Sequence, residues 1–185
     1  MYLGLTHVFW YFLGYGLVTS MVMFFVPAEK RRKILTFARH GSFAEKMFAA
    51  VSLVSRYAMM GLSLFIPVYP RGIAFIAGNL LYCAGLILTN LAMWQFSREE
   101  TDKPITWGLY KVSRNPMQVM VFGMYLGIAL IADNGWFWLA AAINIAASYP
   151  MFFMQERYCT ERYGDEYLEY MKKTPRVLLV RGGKK

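Results

Sequence analysis

The chain has 185 residues, 57% of them hydrophobic and 17% aromatic, with a mean hydropathy of +0.34 and a formal charge of +9. That is more apolar than a water-soluble domain of this length, and the apolar residues come in blocks close to the ~20 residues that cross a bilayer. Two cysteines give no disulfide framework, and two histidines are too few for a His-rich di-iron centre.

Five apolar segments are expected to be helices that span the membrane. They run over roughly 3–26, 47–68, 72–96, 116–132 and 136–154. The first lacks a basic leader, which favours a retained helix over a cleaved signal peptide. Segments two and three are joined only by Val-Tyr-Pro-Arg, and segments four and five only by Asp-Asn-Gly. The other connections, 27–46 and 97–115, and the tail from Gln155 are longer and polar. The link 27–46 reads as basic and partly amphipathic.

Five spans place these three polar stretches on one side. Every Lys and Arg except Arg56 and Arg71 then falls there, which makes that side cytoplasmic and puts the N-terminus opposite. The net charge is thereby read as topology and attraction to anionic headgroups, not as a nucleic-acid footprint. The expected fold is all-α: a polytopic membrane helix bundle with about five transmembrane helices and a short helical C-terminal tail on the cytoplasmic face.

Chemistry concentrates at the cytoplasmic mouth of the fourth segment. Tyr110, Lys111, Arg114, Asn115, Pro116, Met117 and Gln118 precede or open it. Asn115 is placed to cap the helix and Pro116 to occupy its first position. A helix N-terminus flanked by cations suits a carboxylate or phosphate; the plainer reading is a helix start whose cations touch headgroups. In the tail, Gly164 reads as a helix stop, followed by a short helix with Tyr167 and Tyr170 three residues apart. Glu156 emerges level with the start of the fourth segment, where an acid needs a partner; Arg114, Arg157 and Arg176 are the candidates. Arg56, within the second segment, is expected to pair inside the bundle or to hold a substrate phosphate.

Two blocks carry a family resemblance. Gly-Leu-Tyr-Lys-Val-Ser-Arg-Asn-Pro-Met-Gln, 108–118, resembles the Gly-x-Tyr-[Arg/Lys]-x-x-Arg-[His/Asn]-Pro-x-Tyr signature of membrane methyltransferases. These include the isoprenylcysteine carboxyl methyltransferases and the phospholipid N-methyltransferases. The tail, Gln155 to Arg176, resembles their Glu-Glu-x-x-Leu…Phe-Gly-x-x-Tyr-x-x-Tyr…Pro-Arg block. The resemblance spans roughly 95–178. Asn115 stands where His is commoner, as in the phospholipid enzymes; Gln118 replaces Tyr, Gln155 the first Glu and Cys159 the Leu.

The resemblance implies a single domain, 1–185, with N-terminal helices over 1–70 and a catalytic core over 71–185. It implies S-adenosylmethionine in a pocket between the last spans and the tail, with no Rossmann unit and no metal. Tyr110, Arg114, Asn115, Pro116, Met117, Gln118, Glu156, Tyr167 and Tyr170 would line the cofactor site. Arg114 and Glu156 would act in catalysis, and Arg176 would contact a lipid or prenylated acceptor entering from the bilayer; Arg56 is a candidate for the same contact by its position alone, outside the resemblance. Two other readings remain open at this point: a membrane sterol-type reductase using NADPH, and a non-enzymatic membrane adaptor.

Overall fold

A computed structural model describes residues 7–31, 41–99 and 102–178. Among them run five α-helices: α1 Phe9–Phe25, α2 Phe43–Ser63, α3 Gly72–Arg98, α4 Pro116–Ala132 and α5 Gly135–Lys173. A 3-10 turn over Gly108–Lys111 precedes α4. The middle of the basic link, 32–40, and the first residues of the first expected span lie outside the described residues.

The helices fall where hydropathy places them, with shifted ends that have local causes. α2 begins before the apolar run because Ser42 and Glu45 form a reciprocal cap. Ser42 Oγ accepts from Glu45 N–H at 3.3 Å, and Glu45 Oε2 accepts from Ser42 N–H at 2.7 Å. It ends by Ser63 because the chain then turns into an isolated bridge between His7 and Pro67, with Val8 N–H donating to Ile66 O at 3.0 Å. The tight α4–α5 link uses Asp133 at φ 46° and Asn134, whose Oδ1 accepts from Trp136 and Phe137 N–H.

Two helices, α3 and α5, are long and apolar enough to cross a membrane. α1 and α4 are apolar but only 17 residues each. α2 has 21 residues, with Ser52, Ser55 and Ser63 on its buried face.

The helices pair in two antiparallel couples. α3 and α4 cross at backbone contact. A Cβ on Gly78 would sit 2.8 Å from Gly127 O, one on Gly127 2.7 Å from Gly78 O, and one on Gly85 2.8 Å from Met120 O. Small residues at this spacing let two backbones meet where side chains would hold them apart.

α2 and α5 are joined by a polar ladder. Ser52 Oγ and Ser148 Oγ lie 2.6 Å apart, and Asn144 Nδ2 donates to Ser52 O at 2.7 Å and Ser55 Oγ at 2.9 Å. α1 docks on α3 through Tyr11, whose hydroxyl donates to Asn79 Oδ1, and Tyr82, whose hydroxyl donates to Tyr11 O, both at 2.8 Å. Phe12, Tyr125 and Phe137 join α1, α4 and α5 in the apolar core.

α5 runs past the apolar bundle and breaks at Gly164, where φ 55° and ψ −132° reverse the chain. Only glycine adopts that conformation without strain. The break turns the last helical stretch, with Tyr167 and Tyr170, back toward the base of α4.

Candidate active site: a tyrosine-lined cavity at the base of α4

Three segments meet at the base of α4. The 3-10 turn is pinned to α3 by Gln95, whose Oε1 accepts from Leu109 N–H at 3.0 Å. This buries Tyr110. Tyr170 from the end of α5 donates its hydroxyl to Tyr110 O at 2.6 Å. Beyond α5, residues 174–178 form a strap bonded to the α4 entry. Arg114 N–H donates to Pro175 O at 2.9 Å, Ser113 Oγ to Arg176 O at 3.0 Å and Asn115 Nδ2 to Arg176 O at 3.2 Å.

Between these segments lies a cavity of about 270 Å³. Tyr110, Arg114, Asn115, Pro116, Met117, Gln118, Tyr167 and Tyr170 all line it. The fourth apolar helix and the tail, read separately from the sequence, thus enclose one space. The wall is completed by Phe96, Pro104 and Ile105 from α3 and its following loop, and by Gln155, Tyr158, Cys159 and Tyr163 on one face of α5. Phe96, Pro104, Ile105 and Tyr158 were not singled out from sequence. The α5 members could have been found, since 155, 159 and 163 recur at helical spacing. The loop members carry no chemical signature.

Glu156 does not line the cavity; it stands behind Arg114. Arg176 forks both its oxygens, Nε to Oε1 at 2.8 Å and Nη2 to Oε2 at 2.7 Å. Arg114 Nη2 lies 3.2 Å from Oε1, and the Arg114 and Glu156 side chains are 5% and 6% exposed. Two of the three expected partners are therefore found. Arg157 is not one of them: a residue further round the helix, it points away and pairs with Glu45 at 2.9 Å.

Asn115 also departs from expectation. It occupies the N-cap position, but its side chain makes no cap bond; its amide instead donates to the strap's Arg176 carbonyl. Pro116 sits in the first turn as expected.

Neither expected substrate contact lines the cavity. Arg176 is committed to Glu156 and lies over the Phe153 ring at 4.0 Å, and Arg56 sits deeper in the bundle beside Tyr15 and Tyr125.

The cavity wall holds polar atoms without partners. Arg114 Nε and Nη1 and Gln118 Nε2 are buried and bond to nothing in the protein. Each is a donor whose desolvation is uncompensated, so together they fit an acceptor ligand. The same lining holds a dense set of phenols: Tyr163 and Tyr167 have ring centroids 6.5 Å apart, and Tyr167 and Tyr170 5.7 Å. Burial raises the pKa of Tyr110, Tyr163, Tyr167 and Tyr170, so these rings stay neutral. Burial also pushes the Cys159 thiol up to about 11. Neutral phenol faces attract cations.

An all-helical, membrane-type bundle with a tyrosine-rich cavity at one rim, formed by the entry of one helix and the extension of the next, defines the class. The family model described as phospholipid methyltransferase matches residues 73–166, which is half of the chain. The chain therefore belongs to the phospholipid methyltransferase family, a family of membrane methyltransferases, and its apolar helices agree with a membrane protein. No curated protein matches the chain, and no solved structure does.

Proposed function

We propose that the protein transfers a methyl group from S-adenosylmethionine to a lipid or lipid-linked acceptor, at the cavity beneath α4. The observation that carries this reading is the pairing, in one wall, of unpartnered donors on Arg114 and Gln118 with neutral tyrosine faces. Such a wall is complementary to a ligand that bears both a carboxylate and a sulfonium.

Bound there, S-adenosylmethionine supplies an activated methyl group. The chain's own residues bind, orient and exclude water. Arg114 and the uncapped first turn of α4 hold the carboxylate, with Gln118 donating beside them. Tyr167 and Tyr170, with Tyr110, Tyr158 and Tyr163, present ring faces to the cationic centre and the adenosyl part. Glu156, with both oxygens engaged by guanidinium groups, positions Arg114 instead of taking a proton. Charge disperses as the methyl moves, so alignment in a partly dry cavity contributes most, up to roughly 7–11 kcal/mol.

The same reading takes all five helices as membrane spans, with the cavity and the basic segments on the cytoplasmic side, and the chain as one domain whose 71–185 part builds the site. The lining residues, from Phe96 to Tyr170, support that division. The family's description favours a phospholipid headgroup amine as acceptor. A reductase is less well supported: among the described residues Arg114 is the one cation in the lining, which leaves none there for the extra phosphate of NADPH.

Calorimetry on the purified protein with S-adenosylmethionine, S-adenosylhomocysteine and NADPH tests the cofactor. Binding of the first two and not the third is expected; a folded preparation that binds no adenosyl ligand overturns the reading. Labelled methyl donor with a lipid extract then identifies the acceptor. An alkali-stable product marks an amine, and an alkali-labile one a carboxylate.

A further inference from the structure

A second arginine, Arg56, lies half-buried within the bundle, and nothing in the cavity beneath α4 accounts for it. Arg56 follows Ser55 on α2, and Ser55 meets Asn144 on α5. Twelve residues of α5 separate Asn144 from Glu156, a rise of about 18 Å. Arg56 therefore lies well inside the apolar bundle, far from the rim that holds the methyl-transfer cavity.

Its surroundings are polar and unsatisfied. The Arg56 charge acts on the phenols of Tyr15 from α1 and Tyr125 from α4. Arg56 Nε is buried without a hydrogen-bond partner, and the hydroxyl of the fully buried Tyr125 faces the Arg56 side chain. Thr19, one turn along α1 from Tyr15 and on the same face, has a buried, unpartnered hydroxyl. Three helices thus contribute polar groups here, with Arg56 Nε and the Thr19 hydroxyl left without a partner.

Among the described residues, no acid pairs with Arg56. α1, α3 and α4 contain no Asp or Glu. Glu45, the one acid of α2, lies eleven residues away at the rim and is held by Arg157. The first acid of α5 is Glu156. Arg114, whose side chain is buried, has Glu156 as its counter-charge, and Arg56 has no equivalent among the described residues. A guanidinium at this depth costs several kcal/mol unless a partner is supplied.

We propose that Arg56, Tyr15 and Tyr125 form an intramembrane anion seat that takes the carboxylate or phosphate of an amphiphile entering sideways between α1 and α2. The neighbouring surface supports lateral entry. Leu17 on α1 and Val54 and Tyr57 on α2 are exposed, and the space beside Gly16 is open. The seat does not depend on the methyl-transfer reading.

Native mass spectrometry of the protein in a neutral maltoside, titrated separately with oleate, phosphatidylglycerol and inorganic phosphate, tests this. Wild type is expected to retain one oleate or one phosphatidylglycerol, and which of them binds identifies the source. Arg56→Gln and Tyr125→Phe should each weaken retention tenfold or more, and Arg71→Gln, at an exposed turn, should leave it unchanged. Tyr125→Phe removes only one hydroxyl, so it keeps the test valid should Arg56→Gln fail to fold. Retention unchanged in Tyr125→Phe, absence of any bound amphiphile in wild type, or binding of inorganic phosphate alone would each overturn the proposal.

Discussion

Arg176 grips Glu156 with a two-pronged contact, 2.8 Å and 2.7 Å long, that closes the C-terminal strap over the base of α4. The same carboxylate steadies Arg114 from the other side, at 3.2 Å. One acid therefore serves two cations, and removing its charge strands Arg114 in a buried place. Glu156→Gln is expected to destabilise the protein by about 3 kcal/mol, the scale on which a buried pair loses one member. Arg176→Lys, which keeps the charge but loses the fork, should cost less. Thermal unfolding in detergent compares the two.

Arg114 Nε and Nη1 and Gln118 Nε2 have no protein partner. Under the proposed function they are completed by ligand. Arg114→Gln should weaken S-adenosylmethionine binding on the order of a hundredfold, and Gln118→Ala about tenfold, a charge-assisted contact being about twice as strong as a neutral one. Calorimetry reads both. Equal, small effects would argue that the orphaned donors face nothing.

Much of this site was legible in the sequence. Asn-Pro marks a helix start by backbone chemistry alone, and tyrosines three apart on a short helix must share a face. What could not be read were contacts that need the chain to return. The strap brings the carbonyl of Arg176 to Asn115, and a residue suited to capping does not cap. Arg157 and Glu156 are adjacent in sequence yet about 100° apart around a helix, and only one turns inward. The fold was readable in its helices but not in their pairing: the near contact of Gly78 and Gly127 follows from a crossing that no single segment encodes.

That crossing makes its own prediction. A methyl group on Gly127 would sit 2.7 Å from a backbone oxygen, which cannot move as a side-chain tip can. Gly127→Ala should therefore destabilise by about 1–3 kcal/mol through overpacking. Gly61→Ala, which meets nothing within 4 Å, serves as the control. Unfolding midpoints of the pair decide the point.

Arg157 lowers the pKa of Glu45 to about 2, helped by the Ser42 backbone N–H. The depressed value means the ionised form is favoured in the folded state. Its contribution is thus complete above the ordinary carboxylate range and fades as pH falls toward 2. Glu45→Gln should lower the unfolding midpoint slightly at pH 7, the pair being solvent-exposed. The gap from wild type should shrink steadily between pH 4.5 and 2.

Cys159 offers a chemical probe of the cavity. With its thiol pushed up to about 11 by burial, alkylation by iodoacetamide should be slow at pH 8 and quicken as pH rises. Saturating S-adenosylhomocysteine should slow it further. Mass spectrometry of the modified peptide follows the rate.

The hydrogen bonds from Ser113, Arg114 and Asn115 to the carbonyls of Pro175 and Arg176 have a consequence for biosynthesis. While the ribosome is still delivering α5, the earlier helices can already be inserted, but the wall beneath α4 lacks its outer half. Under the proposed function, a nascent polypeptide has no complete cavity until α5 and the strap behind it have been made.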